Sequence, residues 1–122
     1  MSTDALFAVT RFGLDYERHR MEAASQRIAT SNLPLATRTD ALRASGADTF
    51  AERLEATDGA GRQVQDPASP VAGTDGMVTY PDTDLAQEMS TLMSAQRGYQ
   101  ADIRAFNVLH GMLLKSLTIG GR

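Results

Sequence analysis

His19, His110, Asp82, Asp84 and Glu88 are the side chains whose types could do chemistry. Imidazoles bind transition metals or carry protons near neutral pH. Three close carboxylates can hold a divalent cation. His110 has no acid at ligand spacing beside it and falls on an apolar helical face, where a core or interface histidine is the ordinary reading. Asp82, Asp84 and Glu88 cluster at a helix start, where acids complement the helix dipole. The loop TDGAGR (57–62) lacks the glycine spacing and lysine of a phosphate-binding loop. No serine stands in a G-x-S-x-G context. The six methionines sit mostly on or beside helical stripes, as core filling does. With no cysteine, disulfides and thiolate metal sites are excluded. The expectation is no catalytic, metal or cofactor site, and hence no enzyme.

The elements that carry these residues are more informative. The stretch Asp84–Leu117 alternates steps of four and three through Leu85, Met89, Leu92, Gln96, Tyr99, Ile103, Phe106, His110, Leu113 and Leu117. Most of these positions are apolar or aromatic, which predicts a long helix packed along a heptad seam. Asp84 is the expected N-cap, with Gln87 as capping-box partner, and Gly120 and Gly121 the expected end. A second pattern over residues 4–31 repeats Phe7, Leu14, Met21 and Ile28 by seven, with a weaker companion row at Thr10, Glu17, Ala24 and Ser31. Thr3 or Asp4 would cap it and Pro34 would stop it.

Residues 35–83 differ in composition. They contain half of the ten glycines, three of the four prolines and few large apolar residues. A short helix over 47–56, strands near 63–65 and 77–80, and a turn-rich loop at DPASPVAGTDG are predicted. The expected fold is therefore mainly α. Two long terminal heptad helices pack as a coiled-coil hairpin, with a small irregular, short-strand middle. Residues 1–34 and 84–122 would form one structural domain, and 35–83 either an irregular, partly ordered linker or a small projecting subdomain.

Beyond residue 105 the apolar residues exceed a single stripe: Phe106, Val108, Leu109, Met112, Leu113, Leu114 and Leu117. One partner helix buries one stripe, so the surplus marks an interaction surface. The candidate assembly interface comprises Leu85, Met89, Leu92, Tyr99, Ile103, Phe106, Val108, Met112, Leu113 and Leu117, together with Leu14, Met21 and Ile28; residues such as Ile103 and Leu113 are expected to be buried against the N-terminal helix or a neighbouring subunit. The net charge of −3, with both signs mixed, argues against nucleic acid as a partner. No apolar run approaches the roughly 20 residues that insert into a bilayer. The start MSTDALFAVTRFG lacks the basic n-region of a cleavable signal peptide.

The run 75–120, DGMVTYPDTDLAQEMSTLMSAQRGYQADIRAFNVLHGMLLKSLTIG, resembles the C-terminal region of the flagellar basal-body rod proteins, most closely those of the proximal rod. The residues that carry the resemblance are Asp75, Gly76, Val78, Tyr80 and Pro81, then Glu88 and Met89. Ser94, Arg97, Tyr99, Gln100 and Ala101 follow, with Leu117, Ile119 and Gly120 at the end. Upstream, Asp66-Pro67 and Ser69-Pro70 are similar to the family's Asp-Pro-x-x-Pro segment. Residues 12–32 are similar to its N-terminal signature at Gly13, Leu14, Arg18, Met21, Ile28, Ala29 and Asn32, with Arg27 and Thr30 standing where the family has asparagines. The resemblance implies a structural subunit without cofactors. Its terminal helices would pack as a coiled coil against copies of itself and other rod proteins. It would be exported through the flagellar type III apparatus without a cleaved signal, to the periplasmic rod of the basal body. The competing reading is a soluble coiled-coil export adaptor or regulator that kept the fold.

Overall fold

The computed structural model describes residues 2–44, 46 and 61–121. In chain order its elements are α1 (Thr3–Ala29), α2 (Leu35–Ala44), β1 (Arg62–Gln65), β2 (Met77–Tyr80) and α3 (Leu85–Gly120). The mainly α reading, with two long terminal helices and a short two-stranded sheet between them, is borne out. The helix predicted over 47–56 lies outside the described residues.

Each helix end has an identifiable local cause. At the start of α1 the cap is Ser2, whose Oγ accepts the Ala5 N–H at 3.3 Å. The expected caps Thr3 and Asp4 already lie at or inside the first turn. Helix α1 ends at Ala29, earlier than the pattern suggested. There Thr30 Oγ1 donates to the Gln26 carbonyl at 2.7 Å and Ser31 Oγ to the Ile28 carbonyl at 2.8 Å. The Gln26 carbonyl keeps its helical bond from the Thr30 N–H, and the Ile28 carbonyl takes the tighter i→i+3 bond from Ser31 N–H, as the helix closes in its last turn. Pro34 opens the next helix rather than closing the last one, its carbonyl accepting from Thr37 and Arg38 N–H groups. A proline is tolerated there because a first-turn N–H has no helical partner anyway. Helix α2 was missed in the sequence, since ten residues with only Leu35 and Leu42 as large apolars show no helical stripe. Asp84 caps α3 as expected, Oδ1 accepting from Ala86 at 3.0 Å and Gln87 at 3.2 Å.

The residues form two compact units, Met1–Ala24 with Met89–Arg122, and Ser25–Glu88. In the second, β1 and β2 pair antiparallel, with Val64 opposite Val78 and Arg62 opposite Tyr80. The connecting loop folds back through turns, Asp66 N–H bonding the Gly76 carbonyl and Gly73 N–H the Met77 carbonyl. Gly76 has φ +72°, which an L side chain rarely adopts. Val78 (1% exposed), Leu42 (4%) and the stem of Arg38 (2%) form the buried centre. Arg38 Nε donates to Thr30 Oγ1 at 3.0 Å, so a hydroxyl at the end of α1 fastens α2. Arg27 and Glu88 also approach within this unit, at 3.6 Å.

Candidate functional site

In the first unit, residues 3–24 of α1 run antiparallel to residues 89–120 of α3. Phe7 meets Phe106 edge to face, with ring centroids 5.4 Å apart. Further along, Asp102 lies against Gly13 and Glu17 against Gly98. The fully buried side chains are small: Ala24 and Ala95, both 0% exposed. On α1 the turned-in residues are Phe7, Thr10, Leu14, Glu17, Met21 and Ala24, all shielded to some degree. Both α1 rows expected from the sequence therefore face inward.

Helix α3 uses only half of its expected seam. Leu92, Tyr99, Phe106 and Leu113, spaced by seven, are partly buried. The other expected row faces out. Met89 is 56% exposed, Ile103 38% and Leu117 64%, and Gln96 and His110 are exposed as well. Leu85 is 46% exposed. Of the two partners expected for this row, the N-terminal helix of the same chain is therefore not the one that covers it. The physical reason is a rotation: neighbouring positions differ by about 100° around a helix. The row one residue earlier, Ala95, Asp102 and Leu109, is turned in instead. Counting apolar residues passes over that row because it holds an alanine and an aspartate. Its one signal in the sequence was the spacing of seven.

Two exposed apolar stripes result. Met89, Ile103 and Leu117 lie on one, at steps of fourteen. Val108 (60%), Met112 (63%) and Ile119 (77%), spaced four and seven, lie on the other. On α1, Val9, Phe12 and Tyr16 are similarly exposed, at 62%, 73% and 55%. The sequence reading passed over these three. Ile28 is partly buried in the second unit.

The charged groups form pairs along α1, two of them exposed and the Glu17–Arg20 pair partly buried. Arg18 and Asp15 lie 3.6 Å apart, His19 and Glu22 3.8 Å, and Arg20 and Glu17 3.0 Å. Arg20 also lies over the Tyr16 ring, 5.8 Å from its centroid. His19 thus sits in an exposed helical pair and His110 on an exposed face. Among the described residues, no group of three His, Asp or Glu side chains could hold a metal ion. None of the described helices is long and apolar enough to cross a membrane.

Residues 74–119 match the family model described as the flagellar basal body rod FlgEFG protein C-terminal. The match coincides with the stretch whose motifs carried the resemblance. Over 57 residues, 47% of this chain, the sequence is 44% identical to the flagellar basal-body rod protein FlgC of Salmonella typhimurium, and covers 42% of that protein. The FlgC of Bacillus subtilis is also 44% identical over 57 residues, with 38% of its length covered. The FlgC of Buchnera aphidicola is 29% identical over 59 residues. The matched stretch spans less than half the length of these relatives.

Proposed function

We propose that this chain, whose residues 74–119 carry the C-terminal segment of the flagellar basal-body rod proteins, is a structural subunit of the basal-body rod, in its proximal part. One observation carries the reading beyond the likeness. The helix pair, once folded, still leaves two apolar stripes of α3 and one of α1 in water. Each such side chain contributes about 1.5–3 kcal/mol when it leaves water. Several per subunit, repeated around a tube, favour polymerisation strongly. The assembly surface in this reading comprises Met89, Ile103, Val108, Met112 and Leu117, with Leu85 beyond them. Leu14, Met21, Leu92, Tyr99, Phe106 and Leu113 support it from the inward side, and Ile28, in the second unit, completes the proposed set. The partners are copies of the chain and other rod proteins. The role is mechanical, without a catalytic centre. The route is the flagellar type III export apparatus, with a signal inside residues 1–34, and the destination is the periplasmic rod.

Deleting the gene and imaging isolated basal bodies tests the role: rods are expected to be missing or truncated, and intact rods would overturn it. Ile103→Asp is expected to abolish swimming while the chain is still made and folded; normal swimming would exclude this stripe from the interface. A fusion of residues 1–34 to a passenger is expected to be secreted only where the export gate works. The adaptor reading gains nothing from the exposed stripes, since a self-contained soluble helix pair has no use for them.

A further inference from the structure

The inward-facing row of α3 poses a problem of choice. Beside the shared row of Leu92, Tyr99, Phe106 and Leu113, α3 could turn toward α1 either Ala95, Asp102 and Leu109, or Gln96, Ile103 and His110. Burying Ile103 rather than a carboxylate is the better apolar solution, yet Asp102 is turned in. Something other than apolar burial selects the rotation.

The two helices carry the same short pattern at matched places. Helix α1 has Gly13 and Glu17, four residues apart; α3 has Gly98 and Asp102, also four apart. The contacts cross. A Cβ added at Gly13 would lie 3.0 Å from Asp102 Oδ2 and 3.4 Å from its Cγ. A Cβ added at Gly98 would lie 2.7 Å from Glu17 Cδ and 2.8 Å from its Oε1. Each acid therefore occupies space that any side chain at the facing position would take. Antiparallel helices make this exchange possible, because four residues forward on one run alongside four residues back on the other.

Each half of the arrangement is unfavourable alone. A glycine inside a helix weakens it through backbone entropy. A carboxylate between two helices loses hydration. Polar groups at such positions are best attested as devices that fix register and orientation at a cost in stability. Glu17 is moreover held in place by its own helix, through Arg20 at 3.0 Å and 3.4 Å from its two oxygens. The Glu17 side chain is only 15% exposed.

We infer that the reciprocal contacts of Glu17 on Gly98 and Asp102 on Gly13 key the rotation and register of α3 on α1, and so decide which stripe of α3 faces outward. These four are positioning residues. With the acids seated on the glycines, Met89, Ile103 and Leu117 are displayed. Were α3 turned by one position, Ile103 would be hidden. The consequence for assembly rests on the rod reading; the key itself does not.

Helix glycines give a test with an internal control. At Gly111, also in α3, an added Cβ meets nothing within 4 Å. Gly111→Ala in the full chain is expected to raise the melting midpoint, followed by circular dichroism, by about 4 °C from helix propensity alone. Gly98→Ala gains the same propensity but is expected to lower the midpoint. In a Glu17→Ala background, Gly98→Ala should raise it as Gly111→Ala does, a reversal that propensity cannot produce. If Gly98→Ala stabilises the chain equally with and without Glu17, the key does not exist.

Register is read separately by thiol labelling, since the chain has no cysteine of its own. In the parent, Met89→Cys should label much faster than Ala95→Cys. With Gly13→Ala and Gly98→Ala together, that contrast should shrink or reverse. An unchanged contrast would show that the glycines do not set the rotation, and would overturn the proposal even if the melting data agreed. Neither measurement involves a flagellum. Loss of the rod assignment would therefore leave both intact, and loss of the key would leave the rod assignment standing.

Discussion

The unit Ser25–Glu88 and the helix pair solve burial in opposite ways. The first places Val78 and Leu42 almost wholly out of water, and fastens α2 to the end of α1 by the Arg38–Thr30 hydrogen bond. Among the described residues, its exposed large apolar side chains are Val64 and Val71, each 37% exposed, and Leu85, 46%. The helix pair fully buries two alanines and leaves Val9, Phe12, Met89, Val108, Met112 and Leu117 more than half exposed. A soluble chain rarely shows so many large apolar residues along two helices unless something else covers them. The lesson is that the two units differ in how much apolar surface each covers by itself, and the surplus on the helix pair is what the proposed assembly would bury.

The comparison breaks most visibly at Val78. Val78→Asp leaves an uncompensated charge in the interior and is expected to cost about 3–5 kcal/mol. Amide exchange of β1 and β2 should accelerate accordingly; unchanged protection would mean that Val78 is not central to that unit. A smaller loss is expected in the helix pair from overpacking. Ala95→Leu forces a large side chain where an alanine is fully enclosed, costing about 1–3 kcal/mol. If thermal melts show Ala95→Leu to be neutral, the close approach of the helices at that point is wrong.

Thr30→Val removes the oxygen that accepts from Arg38 Nε while keeping the shape of the side chain. A loss of about 1–3 kcal/mol is expected, because a buried donor loses its acceptor. Chemical denaturation would measure it, and a stable variant would show that the bond contributes nothing net. The smallest effect sharpens the contrast from the other side. Val108→Ser should change the stability of the isolated chain by no more than about 0.5 kcal/mol, the usual range for exposed positions. It should nevertheless weaken incorporation into rods, measured as protein recovered with purified basal bodies. Full incorporation would remove that stripe from the interface.

Several parts of this protein were legible from residues alone because their causes are local. Period-seven apolar spacing specified both long helices. Asp84 announced the start of α3 because a short acceptor one residue before a helix satisfies its free N–H groups. Short strands near 63–65 and 77–80 were expected from their turn-rich borders, and only the structure showed that they pair as a hairpin. Helix α2 and the end of α1 were not legible. The first is held by an interior that forms only when β2 is present, and the second closes in a tighter last turn at Thr30 and Ser31, which read equally well as ordinary helix residues.

The sequence by itself determined that the two ends would be helical, that they would pair, and that apolar residues would exceed what one pair can bury. It did not determine which row of α3 would be spent on the pairing. Apolarity ranks Ile103 above Asp102, and that ranking is a property of single residues. Whether Asp102 fits between the helices depends on Gly13, remote in the chain, and whether Glu17 fits depends on Gly98. Steric room is shared between elements, so only the packed tertiary structure could decide which stripe was hidden and which was left to meet a neighbour.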